Sequence, residues 1–202
     1  MGKNEIHNCP VMLSEFSLQK QETPFSCGPA AAKMALEIMG IKVPEAELRK
    51  RMWTNSILGT LPGLLSRAYQ SYLSENGIGL RARVRSGPSV TTDALLDSLR
   101  KGRPVIVTFF TENYFRKGTI VGHYSVIYGI DGEVRHFHLA NPFGFKETVE
   151  VDRFWKTTDF RQVDGKMPLL IKLGLKLGRL LGLFVPRTVI LLEDSMNNSS
   201  RS

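Results

Sequence analysis

Cysteine is scarce in this chain. Cys9 and Cys27 are the only two in 202 residues, and no Cys-x-x-Cys pair or Cys/His cluster accompanies them. That excludes a disulfide-stapled scaffold or a structural zinc site as the source of stability. A chain of this length has core enough to stand without either. Histidine is nearly as rare, with His7, His123, His136 and His138 making up the set. The opening stretch MGKNEIHNCPVML lacks the apolar run of a signal peptide. Ile6 stands where myristoylation of Gly2 wants Ser or Thr. A reducing, cytoplasmic setting is the expectation, and no metal or cofactor is implied.

Acidic residues are also short, 19 against 27 lysines and arginines, for a formal net charge of +8. The excess is local. From Arg161 to Arg187 six basic residues meet one acid, Asp164. In LRARVR, Arg81, Arg83 and Arg85 alternate so as to line one face of a strand. No nucleic-acid motif accompanies either cluster, so both read as solvated basic faces and nucleic acid is not expected as a partner. The leucine-rich segment Pro168 to Pro186 is the one long apolar stretch. It is interrupted by Lys172, Lys176 and Arg179 and is shorter than the ~20 residues of a membrane span. Two readings stand: a helix packed on the domain through Gly174, Gly178 and Gly182, or an interfacial helix touching an anionic membrane.

What is present has a clear order. Gln21 to Gly40 reads as a loop entering a helix, with Pro29 in the first turn and apolar residues at Ala31, Met34, Ala35 and Ile38. Further helices are expected over Val43 to Trp53, Leu61 to Glu75 and Asp93 to Lys101, the last capped by Thr92. Leu80 to Val84 is a strand. The pattern then changes to β-branched and aromatic runs, Pro104 to Phe110 and His123 to Ile130. Asp131-Gly132 predicts a tight hairpin, with Glu133 to Ala140 pairing back. FGFKETVEV follows as another strand, Asp152 to Lys156 as a helical turn, and Thr188 to Leu192 as a returning strand. Helices first and an antiparallel meander second make an α+β fold. Residues 1–10 are expected to be disordered, 11–193 to form a single domain with an insertion at about 167–186, and 194–202 to be a tail.

Cys27 falls at the start of the first predicted helix, where unpaired amides and the dipole favour a thiolate. Gln21, six residues earlier, can aim a side-chain N–H toward it. Nucleophilic catalysis by cysteine also needs a base and a group to orient that base. His7 lies near the N-terminus, and His136 and His138 share one strand face. His123 opens a buried strand after a flexible loop, where a side chain can face a cleft. With the turn centred on Asp131-Gly132, paired residue numbers sum to about 263. Position 123 then faces 140, and Asn141 comes beside His123. Each residue alone has a plain structural reading: a lone cysteine is more often core filler, and Asn-Pro is a common turn. Together they supply the nucleophile, oxyanion donor, base and orienting group of thiol acyl transfer.

The segments QETPFSCGPA, GRPVIV, GHYSVIYGID and NPFG resemble the double-glycine (bacteriocin-processing) peptidase-like family of papain-like cysteine proteases, over roughly residues 11–160. The resemblance implies a papain-like fold, with N-terminal helices packed on a C-terminal antiparallel sheet. It implies Cys27 as nucleophile, His123 as general base and acid, Gln21 as oxyanion donor and Asn141 as third member. Most of the family has Asp-Pro where this chain has Asn141-Pro142, and the leucine-rich segment is outside the family pattern. No transporter domain accompanies the chain, so the expectation stops short of leader-peptide processing. The function implied is hydrolysis of a peptide or amide bond in a peptide or protein substrate, through a Cys27 thioester. Transfer of the same acyl group to an amine or thiol is the alternative within enzymes. A peptide- or membrane-binding module with vestigial catalysis is the alternative outside them.

Overall fold

Alternation of apolar side chains along β-branched strands builds the centre of the molecule. The computed structural model describes residues 9–13, 16–112, 120–159 and 185–195. Most of the leucine-rich segment, the first eight residues and 196–202 lie outside the described residues, so the expectations for them are left as they stand. In chain order the elements are β1 (Val11–Met12), α1 (Cys27–Ile38), α2 (Glu45–Arg51), α3 (Pro62–Glu75) and β2 (Leu80–Arg85). Next come α4 (Thr92–Arg100), β3 (Val105–Glu112), β4 (Ile120–Ile130), β5 (His136–Asn141), β6 (Phe145–Glu150), α5 (Val151–Thr157) and β7 (Val189–Asp194).

The strands form one seven-stranded antiparallel sheet in the order β2-β7-β3-β4-β5-β6, with β1 added to β4. β3 to β6 are the expected meander. β7 returns beside β3 and carries β2 on its far edge. Asp194, the first residue of the expected tail, is the last residue of β7 and pairs with Leu80.

The central strands are buried on both faces, which is why β3 and β4 read as near-continuous apolar runs, while the edge strands β2 and β6 are mostly exposed. On one face Ile106, Val126, Tyr128 and Ile190 pack against Ala31, Met34 and Ala35 of α1, Leu48 of α2 and Tyr69 of α3. On the other, Val105, Val107, Ile127 and Phe137 meet Leu95 and Leu99 of α4 and Phe154 of α5. Helices therefore cover both faces, where the sequence predicts N-terminal helices against a sheet. α1 is buried along most of its length, which suits its run of small residues.

Two local expectations are corrected. α4 is capped by Thr91, whose hydroxyl accepts from the Ala94 amide at 3.2 Å. Thr92 instead accepts from the Trp155 indole at 3.0 Å. The β4–β5 turn is also longer than a two-residue Asp-Gly hairpin. Asp131 accepts the Arg135 amide at 2.7 Å, and Val134 adopts a left-handed φ of 57°. Residue pairs now run Ile130 with Phe137 and Val126 with Ala140, with a bulge between Ile127 and Gly129. No helix among the described residues is long and apolar enough to cross a membrane.

Candidate active site

The helix start is built to leave amides free. Ser26 is the N-cap of α1, yet its side chain does not cap. Its hydroxyl accepts from the Thr23 amide at 3.0 Å and donates to the Thr23 carbonyl at 3.1 Å, folding the loop on itself. The amides of Cys27 and Gly28 therefore remain available, and both lie against the Cys27 sulfur together with the amide of Tyr124. Tyr124 follows His123 directly, so the partly buried Cys27 sits against β4 at the residue next to His123 in the chain.

Gln21 is attached to the other half of the molecule. Its backbone amide donates to the Pro142 carbonyl at 2.7 Å, and Lys20 bridges to Phe143. The Gln21 side-chain amide donates to the Thr23 carbonyl at 2.6 Å, while Oε1 is buried without a hydrogen-bond partner among the described residues. A primary amide has two N–H groups, so one is left beyond that bond.

His123 and Asn141 meet directly, each 2 % exposed, with Nε2 of the ring 2.8 Å from Oδ1 of the amide. The shifted register alters how they meet. Extending the β4–β5 pairing by one step sets Asn141 opposite Ser125, and His123 reaches it along the diagonal. Asn141 Oδ1 also accepts from the Phe143 amide at 3.0 Å, and Nδ2 donates to Glu147 Oε1 at 2.7 Å. Those partners fix the oxygen toward the ring. Nε2 is thus the protonated nitrogen, and Nδ1 is left as acceptor. The imidazole stacks on Phe143 with centroids 4.1 Å apart and takes the edge of Phe109 at 5.6 Å.

Burial dominates the titration of both groups. It lowers His123 from 6.5 to about 4, opposed by the bond to Asn141. It raises the Cys27 thiol, while the amides of Tyr124, Gly28 and Cys27 pull it back and the Glu45 charge adds to the rise. The helix-end argument predicts a thiolate near pH 7. In this apolar site desolvation outweighs it, and thiol and imidazole are both neutral.

Three further residues shape the site without a sequence signal that singles them out. Glu45, 1 % exposed, receives the Glu22 amide on both carboxylate oxygens at 3.1 and 3.2 Å, propping the Gln21–Cys27 loop from below. In the sequence it reads as a first-turn helix acid. Thr60 accepts the Tyr124 hydroxyl on its carbonyl at 2.8 Å and presses on Gly28, where a Cβ would come within 2.8 Å of its side chain. Glu147 reads as an ordinary strand residue.

Known proteins resemble this chain to different depths. The chain is 24 % identical over 152 residues to an uncharacterized protein of Methanothermobacter marburgensis, covering 75 % of this chain and 89 % of the other. Three solved structures match at low identity and so bear on fold alone. A C39-like peptidase candidate from Bacillus anthracis matches with a TM-score of 0.59 at 16 % identity, covering 92 % of this chain and 98 % of the other. The peptidase domain of Streptococcus ComA, a bifunctional ABC transporter of a quorum-sensing pathway, matches at 0.54 and 17 %, covering 90 % and 100 %. A double-glycine-motif protease from an AMS/PCAT transporter, solved with a leader peptide, matches at 0.53 and 14 %, covering 92 % and 98 %. The fold is that of papain-like cysteine peptidase domains. The model of the Peptidase_C39 like family matches residues 13–163, and the chain belongs to that family.

Proposed function

We propose that the protein is a cysteine peptidase cleaving a peptide or amide bond, within a single domain spanning about residues 11–193, in a cytoplasmic setting that keeps Cys27 reduced. Cys27 Sγ attacks the carbonyl carbon as its proton passes to Nδ1 of His123. The backbone amide of Cys27 and a side-chain N–H of Gln21 receive the oxyanion. The C–N bond breaks as His123 returns the proton to the leaving amine, giving a thioester and a neutral amine. Water then attacks, His123 takes its proton, and the C–S bond breaks as that proton returns to sulfur. Since thiol and imidazole start neutral, His123 acts as a general base in the attack.

The observation that carries this reading is the His123–Asn141 bond of 2.8 Å, with the amide oxygen held toward Nε2. It leaves a basic Nδ1 on a rigid ring, one residue from the amide that touches the Cys27 sulfur. The test is alkylation of Cys27 by iodoacetamide near neutral pH, read by peptide mass mapping against exposed Cys9. His123→Ala is expected to slow Cys27 by about tenfold or more and leave Cys9 unchanged. An unchanged Cys27 rate would remove the base from the reading. In parallel, a peptide library should be cut by wild type and left intact by Cys27→Ser.

A further inference from the structure

The third member of the site is an amide, which carries no charge to set against an imidazolium. The structure supplies one from behind. Asn141 Oδ1 has two acceptor positions, filled by His123 Nε2 at 2.8 Å and the Phe143 amide at 3.0 Å. Its Nδ2 donates to Glu147 Oε1 at 2.7 Å. Reversing the amide would set N–H against the Phe143 N–H and oxygen against a carboxylate, so both ends enforce one orientation.

Glu147 is placed by the sheet. The β5–β6 register pairs Asn141 with Phe145 and Leu139 with Glu147, so Glu147 is one diagonal step from Asn141. The neighbouring Lys146 does not cancel its charge, because its ammonium lies over the rings of Phe16 and Tyr128 at 5.1 and 5.3 Å. Asn141 is 2 % exposed, so the bond joining carboxylate to amide is shielded from water at that end.

Resting on the Cys27–His123 reading above, we propose that Glu147 is a positioning residue. Its carboxylate locks Asn141 with the oxygen toward His123 and polarises that amide, so that negative charge reaches the imidazolium through one intervening side chain. An aspartate in direct contact with the ring would give the same help in one step.

The test uses the full chain in a Cys9→Ser background, with iodoacetamide as the probe. It compares wild type, His123→Ala, Glu147→Gln and the double variant Asn141→Asp/Glu147→Gln. Glu147→Gln keeps an acceptor for Nδ2 and removes only the charge. It is expected to slow Cys27 alkylation about tenfold, the lower end of what outer-shell partners contribute. The pH at which the His123 ring titrates by NMR should fall as well. The double variant returns a carboxylate to the ring with an amide behind it, and is expected to recover the wild-type rate within about twofold. Recovery in the double variant also decides the matter if the single variant folds poorly. Unchanged alkylation and titration in Glu147→Gln, or a double variant no faster than the single, would overturn the proposal. If His123→Ala slows Cys27 while Glu147→Gln does not, Glu147 alone is wrong. If His123→Ala has no effect, the reading beneath it fails and the proposal with it.

Discussion

Gln21 and Pro142 share a main-chain hydrogen bond of 2.7 Å, the Gln21 amide donating to the Pro142 carbonyl. It ties the loop before α1 to the turn that follows Asn141. With the Gln21 backbone anchored there, its side chain is positioned from the side of the molecule that carries His123 and Asn141. Gln21→Ala removes the proposed oxyanion donor without touching that bond. With a substrate found in the library, kcat is expected to fall about a hundredfold and KM to stay within about twofold. A kcat equal to wild type would leave the Cys27 amide as sufficient donor.

Burial of His123 gives stability a defined pH dependence. Its folded pKa of about 4 lies below the ordinary 6.5, so the unfolded chain takes up the proton first as pH falls. The contribution is complete above about pH 6.5 and is lost toward pH 4, amounting to about 2–3 kcal/mol. Urea unfolding at about pH 7 and pH 4.5 should show this loss in wild type and a smaller one in His123→Gln. Equal losses would contradict the assignment.

Glu45 runs the other way. Burial raises its carboxyl above 4.5, so the folded state holds its proton more tightly than the unfolded chain. Its stabilising share is fullest below that value and is lost as pH rises through the folded pKa. Glu45→Gln cannot ionise, so its stability relative to wild type should increase between about pH 4.5 and pH 7. The same substitution removes the charge that raises Cys27 and should quicken its alkylation, provided the loop keeps its place. A stability difference independent of pH would rule out ionisation of Glu45 as the cause.

Gly28 and Gly63 make a matched pair in two helices. A Cβ at Gly28 would lie 2.8 Å from both Cβ and Oγ1 of Thr60, whereas nothing lies within 4 Å of one at Gly63. Gly28→Ala is expected to destabilise by about 1–3 kcal/mol through overpacking. Gly63→Ala is expected to stabilise by about 0.4–1 kcal/mol. Thermal melts of the two variants should move in opposite directions.

Residues acting through their own stretch of chain were legible in the sequence. The α1 start at Cys27, the apolar runs of β3 and β4 and the proximity of Asn141 to His123 all follow from spacing. The register was not, because Asp131 binds the Arg135 amide and Val134 turns left-handed, which lengthens the β4–β5 turn. Asn141 still reaches His123 because a diagonal neighbour on a pleated sheet, though farther than a direct one, is within reach of a ring as long as imidazole. Glu45 and Glu147 were out of reach for another reason. Their partners, the Glu22 amide and Asn141 Nδ2, are defined only once separate elements pack. Nor could spacing weigh the desolvation of Cys27 against its helix end, since that depends on what covers the thiol.

β7, the last strand among the described residues, is interior in the sheet, and among those residues β2 is joined to the rest of the sheet only through it. During synthesis the residues of α1, β4 and β5 therefore leave the ribosome long before the strand that closes the sheet. Until residues 189–194 emerge, β3 has an open edge and β2 has no partner there. Pairings this distant in sequence form slowly. Closure of the sheet thus waits on β7, and Cys27 is synthesised well before that strand is in place.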